Sequence, residues 1–247
     1  MRRLIVWFAF VAPIALIALW LDHRPLMGVA LLALSHALLL YPTLRPNVQW
    51  LGPVITCFDA NGNDVWLTID DGPTDDTPAI LDVLDTRGAK ATFFVKGTLA
   101  QRRPELIRAI VDRGHGVANH SDTHPSATFW CLPPRGIAAE IDGCTAAIPP
   151  TRWFRAPVGM KNPAVHPALA RRGMRLIGWS VRGFDAVAND IDDIVRRIVP
   201  HVVPGAIVVL HQGRAISIPC IARVVDELRA GGYSFVIPDD ARLKTKR

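Results

Sequence analysis

From residue 65 onward the chain repeats one pattern: a short apolar run of β-forming residues, then a helical stretch. The runs fall at 65–69, 91–95, 116–118, 153–155, 175–179, 206–210 and 234–237. Helical stretches at 77–86, 104–113, 163–172, 191–199 and 218–230 separate them. Several open at Pro or at an Asp or Thr cap, and several close at a glycine, as at Gly88, Gly114 and Gly173. Alternation of this kind calls for an α/β fold, with parallel strands inside and helices outside. About seven strands could close into a barrel. No GxGxxG follows the first run and no phosphate-binding loop motif is present, which disfavours a nucleotide fold. At 247 residues there is room for one sizeable domain and a small appendage.

The appendage is apolar. After Met1-Arg2-Arg3 an uninterrupted hydrophobic run extends to Leu21, about the length a bilayer core demands. Asp22-His23-Arg24-Pro25 interrupts it, and a second apolar run ends at Tyr41-Pro42. No small residues stand around Leu19-Trp20-Leu21-Asp22, so an uncleaved anchor is expected rather than a signal peptide. The expected organisation is a membrane anchor of one or two helices at 1–43 and a linker at 44–63. A catalytic domain at 64–238 and a basic tail at 239–247 complete it. The expected location is an inner, plasma-type bacterial membrane. Arg2 and Arg3 favour an internal amino terminus. The second run is short and carries Ser35 and His36, so the side faced by the domain stays open.

A formal charge of +6 suits anionic head groups or an anionic glycan. There is no aromatic–basic interleaving and no zinc-finger spacing, so nucleic acid is not an expected partner, and no protein partner is inferred. Cys57, Cys131, Cys144 and Cys220 form no CxxC pair and read as free thiols.

Barrel chemistry gathers at the carboxyl ends of strands. Asp70 and Asp71 end the first run, and His120 and His124 follow the third. Arg155 ends the fourth, Asp185 follows the fifth and His211 ends the sixth. Histidines four apart share one face of a helical turn, and with a carboxylate they leave coordination positions open for water and substrate. One aspartate would ligate the ion and the other would accept a proton; the spacing leaves open which does which. Asp122 is expected to cap or face solvent. His211 suits a general acid, and Arg155 could hold a carboxylate bidentately.

In this order the motifs resemble the polysaccharide deacetylase family, also called the NodB-homology or carbohydrate esterase family four. Thr68-Ile69-Asp70-Asp71-Gly72-Pro73 resembles its first motif and His120-Ser121-Asp122-Thr123-His124 its second. Arg155-Ala156-Pro157-Val158-Gly159 resembles the third, and Leu210-His211 the last. The resemblance implies a distorted (β/α) barrel. It also implies Asp70 as general base, oriented by Arg155, and His211 as general acid. Asp71, His120 and His124 would hold a divalent metal: zinc, or cobalt, nickel or manganese. The implied reaction is removal of an N-acetyl, or N-formyl, group from an amino sugar of a glycan or lipid-linked saccharide. The fourth motif departs from the family. Asp185 matches the aspartate that tunes the histidine, but Ala186 stands where the family carries tryptophan. Phe129 and Trp130 are candidates for a replacement aromatic wall. The competing readings are a non-catalytic glycan- or glycolipid-binding member, opposed by the completeness of the motif set, and a membrane scaffold.

Overall fold

The computed structural model describes residues 1–245. Two helices come first, α1 (Arg2–Leu21) and α2 (Pro25–Leu44), packed as a hairpin. Close approach requires glycine at position 28, where a Cβ would lie 2.9 Å from the Leu16 Cα. Both helices are long and apolar enough to cross a membrane. Their large side chains point outward, with Trp7, Phe10, Ile14 and Trp20 each exposed. A soluble core helix would bury these groups. His36 is bonded within its own helix, Nδ1 lying 2.9 Å from the Leu32 carbonyl.

The domain then runs β1 (Cys57–Phe58), β2 (Asp64–Gly72), α3 (Thr77–Thr86), β3 (Ala91–Val95), α4 (Gly97–Arg102), α5 (Pro104–Asp112) and β4 (Gly116–Asn119). It continues through α6 (Pro134–Thr145), β5 (Trp153–Phe154), α7 (Val165–Ala170), β6 (Arg175–Leu176), β7 (Val181–Arg182) and α8 (Ile191–Ile198). The last elements are β8 (Ile207–His211), α9 (Ser217–Ala230), β9 (Ser234–Phe235) and β10 (Leu243–Lys244). Seven strands form a curled parallel half-barrel in the order β6-β5-β4-β3-β2-β8-β7, and β9 pairs with the start of β2. The α/β reading of the sequence holds. Residues 55–57 cross the open side, Ile55 bridging to Ile177 and Cys57 to Ala206.

Strand β2 sets the layers. Val65, Leu67 and Ile69 enter the outer core beneath α3, α5, α8 and α9. Trp66 faces the interior with Phe94, Ala118, Ile207 and Val209. This two-residue period continues through Thr68 to Asp70, and so delivers a carboxylate to the inner face.

The linker and the basic tail, separate in the sequence reading, pair with each other. Cys57–Phe58 lies antiparallel to Leu243–Lys244, with Phe58 and Leu243 buried in the inner cluster. Within the tail, Lys244 reaches Asp59 and Arg242 reaches Asp64, so these cations are paired intramolecularly. Lys246 and Arg247 lie outside the described residues. Helices α4 and α6 were not expected from the sequence. The first is short and mostly polar; the second is interrupted by Gly136 and Gly143, and buries Ile137, Ile141 and Cys144.

The hairpin is seated on the domain by Lys161, whose side chain is fully buried. Its Nζ donates to the Arg45 and Pro46 carbonyls, each at 2.8 Å, just beyond α2. Burial pushes this amine down to about 8. The Lys161 amide also donates to the Thr43 carbonyl at 3.1 Å, and the Asn47 side chain donates to the Trp179 carbonyl at 2.7 Å. Lys161→Ala leaves two part-buried carbonyls without their donor, at a cost of about 1–3 kcal/mol. The expected result is a lower melting temperature with earlier thermolysin cleavage before Val48 or Leu51, in the segment that Lys161 holds; an unchanged cleavage rate would refute the seating role.

Candidate active site

A regular strand would point Asp70 and Asp71 to opposite faces. Here the pairing of β2 with β3 shifts register between Asp70 and Gly72, and Asp71 takes a φ of 75°. That bulge turns both carboxylates into one site. Asp70 Oδ2 lies 3.7 Å from His120 Nε2, while Asp71 Oδ1 lies 3.9 Å from the same atom and 3.5 Å from His124 Nε2. The next residue is glycine, and a Cβ at Gly72 would fall 1.9 Å from Gln212 Nε2 and displace that side chain.

Asp70 is buried against Arg155, which has no exposed surface. The guanidinium donates to Asp70 Oδ1 at 2.6 Å, to Thr68 Oγ1 at 2.8 Å and to the Gly178 carbonyl at 2.9 Å. A longer bond, 3.4 Å, reaches the Ile177 carbonyl, and the Phe94 ring lies 4.0 Å beneath. Burial lowers the Arg155 pKa, and Asp70 opposes that shift. Oδ1 of Asp70 is thus occupied, and Oδ2 is the oxygen turned toward the histidines.

The histidine pair is not on a helical turn. His120 and His124 flank a loop in which Ser121 and His124 have φ of 67° and 54°. Glu140 from α6 holds the loop by accepting from the Asp122 and Thr123 amides at 3.0 and 2.9 Å. Ser121 Oγ accepts the His124 amide at 3.1 Å. Asp122 neither caps a helix nor faces open solvent; its carboxylate is wedged against the positions where Gly97 and Gly143 leave room. Burial, with Glu140 nearby, raises its pKa.

His120 Nδ1 bonds to the Arg155 carbonyl at 2.9 Å, which fixes the tautomer and leaves Nε2 free toward the carboxylates. Burial lowers the pKa of His120 and, with His120 alongside, pushes His124 down to about 4. Both are therefore neutral near pH 7, the form that binds metal. Burial raises the Asp71 pKa, but His120, His124, Lys96 and His211 outweigh it, and the carboxyl lies below its usual value. Asp71 Oδ1 is buried without a hydrogen-bond partner. One ligand atom from each of Asp71, His120 and His124 falls within 4.8 Å of the others. An orphaned oxygen facing two neutral imidazoles fits a divalent cation.

His211 stands in register with Asp70 on the adjacent strand. Asp185 accepts from its backbone amide at 2.6 Å and lies 3.0 Å from its Nδ1. Burial opposes charge on this ring, but Asp185, with Asp70 and Asp71, holds it up to about 9. All the expected residues are therefore brought together. Sequence reasoning missed Lys96, 3.4 Å from Asp71, and Gln212, whose Oε1 accepts from Thr77 at 2.6 Å. Both directly follow strands, so the strand-end rule could have found them. Phe129 is not a groove wall: it is fully buried and stacks on Phe154 at 6.1 Å. Exposed Phe184, beside Asp185, carries the Arg182 guanidinium 4.0 Å over its ring.

The half-barrel gathers a carboxylate–histidine cluster at its strand ends, and the comparisons with known proteins place that arrangement. The family model described as polysaccharide deacetylase matches residues 59–177. A chitooligosaccharide deacetylase of Bradyrhizobium sp. (strain ANU 289) is 39% identical over 165 residues, 63% of this chain and 74% of that protein. The peptidoglycan-N-acetylglucosamine deacetylase of Bacillus cereus is 30% identical over 205 residues, 78% of this chain and 94% of that one. The family 4 carbohydrate esterase from Streptomyces lividans, solved with acetate, superposes with a TM-score of 0.67 at 30% identity, covering 76% of this chain and all of that one. The chain belongs to the polysaccharide deacetylase family, hydrolases of carbon–nitrogen bonds other than peptide bonds.

The His211 shift has a measurable consequence. A histidine raised in the folded state stabilises fully below its unfolded value near 6.5, and that contribution is lost as pH rises through about 9. In chelator-treated protein, NMR should show His211 titrating near 9, and Asp185→Asn should bring it down by at least one unit. An unchanged titration in the variant would remove Asp185 as the cause.

Proposed function

We propose that the protein is a metal-dependent amidase that removes an N-acetyl, or N-formyl, group from an amino sugar carried by a lipid at a bilayer surface. The observation that carries the chemistry is the convergence of three ligand atoms within 4.8 Å beside two distinct proton-handling pairs, Asp70–Arg155 and His211–Asp185. A divalent ion held by Asp71, His120 and His124 would polarise the acyl oxygen and lower the pKa of a water from 15.7 to about 7. Zinc, cobalt, nickel and manganese all suit this donor set.

The chain's own groups divide the proton transfers. Arg155 fixes Asp70 through Oδ1, so Oδ2 accepts the proton of the attacking water. His211, cross-strand from Asp70, gives a proton to the departing sugar nitrogen. Asp185 occupies Nδ1 and so directs the Nε2 proton toward the substrate. The proposed base and acid stand in register on adjacent strands.

The lipid-linked substrate is supported by the hairpin and by its seating. Lys161 joins the end of α2 to the loop that follows Arg155, and Asn47 joins it to Trp179, whose ring centroid is 5.8 Å from the Arg155 guanidinium. The site is therefore within a few contacts of the place where α2 ends. Ala186 leaves room where the family has tryptophan, and exposed Phe184 offers an apolar face nearby.

Native mass spectrometry of the full chain in detergent should find one divalent ion in the parent and none after chelation or in His124→Ala. Asp70→Asn should bind the ion but lose about 10²–10⁴-fold in kcat on an N-acetylated amino sugar. An ion-free, folded parent after addition of zinc or cobalt would overturn the metal reading, and undiminished Asp70→Asn turnover the assignment of the base. Topology reporters fused after residue 45 should report one fixed side of the membrane. A soluble, unanchored product would overturn the membrane reading.

A further inference from the structure

A cavity of about 1230 Å³ lies where the hairpin meets the domain and shares no residue with the carboxylate–histidine cluster. Its wall carries Arg2 and Arg3 from the start of α1, Arg175 from β6 and Lys244 from β10. No aspartate or glutamate lines it. Arg175 and Lys244 are paired with Asp240 and Asp59 behind the wall. Arg2 and Arg3 have no carboxylate partner within salt-bridge distance among the described residues. His166, also on the wall, has its Nε2 unbonded, and burial together with Lys161 and Arg2 pushes it down to about 4. The cavity therefore carries two cations, Arg2 and Arg3, that no carboxylate among the described residues neutralises.

A second hollow, about 400 Å³, adjoins it along the hairpin. Its lining, Leu4, Ile5, Trp7, Phe8 and Leu38, is apolar, and it shares Met1 and Trp50 with the basic cavity. Tyr41 and Trp50 pack together at the junction with centroids 5.0 Å apart. Tyrosine and tryptophan prefer the level of the head groups. Basic room above, an apolar channel below and aromatics between match a molecule with an anionic head and a hydrocarbon tail.

We propose that this pair of hollows is a binding site for one phosphate-bearing lipid, with its head group against Arg2 and Arg3 and its chain along Leu4, Trp7 and Leu38. The site is separate from the catalytic cluster, so the lipid is a bound companion of the hairpin rather than the group being hydrolysed. The inference rests on the reading of α1 and α2 as membrane helices.

The full chain in detergent would be presented separately with phosphatidylglycerol, with diacylglycerol of the same chains and with inorganic phosphate, and examined by native mass spectrometry. One phosphatidylglycerol should be retained per chain, with diacylglycerol and phosphate at least tenfold weaker. The double variant Arg2→Gln/Arg3→Gln should lose tenfold in retention. Leu38→Trp, which fills the apolar hollow, should lose a similar amount. Equal retention of diacylglycerol, equal binding of free phosphate, or parent-like retention by both variants would overturn the site. Flotation of the same proteins with phosphatidylcholine vesicles tests the membrane reading separately. A chain that floats without retaining phosphatidylglycerol keeps its anchor and loses this site.

Discussion

The ion pair between Arg155 and Asp70 is the constraint around which the half-barrel closes. A buried guanidinium is tolerable only when its donors are met and its charge is balanced. Here the balance comes from β2, the backbone acceptors from residues 177 and 178, and the flat support from Phe94 of β3. One side chain thus ties together elements that are far apart in sequence. The same contact holds Asp70, whose other oxygen faces His120, so the fold's internal strut is also one wall of the carboxylate–histidine cluster.

Around that strut the site is assembled from breaks in regularity. The bulge at Asp71 brings a second carboxylate to the side where a regular strand would show only one. The loop from His120 to His124 is shaped by positive φ values and by Glu140, not by a helix. His211, by contrast, uses the unbroken register of β8, and it takes its electrostatics from Asp185. Two irregular elements therefore gather Asp71, His120 and His124, while a regular pair of strands sets Asp70 and His211 side by side.

Much of this was legible in the sequence. Strand β3 and helix α3 were read to the residue, because their apolar periods are uninterrupted and glycine or proline marks their ends. Asp70, Asp71, His120, His124, Arg155, Asp185 and His211 could be singled out because polar groups at strand ends stand out against apolar runs. The route by which the histidines meet was not legible. A spacing of four fits a helical turn equally well, and only the backbone reveals the left-handed residues. Strands β1 and β10 escaped because two residues carry no period, and their pairing spans nearly the whole domain. Asp122 escaped because its surroundings are two glycines from other elements, whose missing side chains leave no trace in a local pattern.

The seat formed by Lys161 has a directional consequence. The segment leaving α2 is tied to the barrel by Lys161, Asn47 and the Thr43 carbonyl within five residues. Whatever sets the tilt of the hairpin also aims the mouth of the barrel. The contact works as a bracket: the end of the hairpin and the strand-end cluster share one mount, with Trp179 as the piece between Asn47 and Arg155.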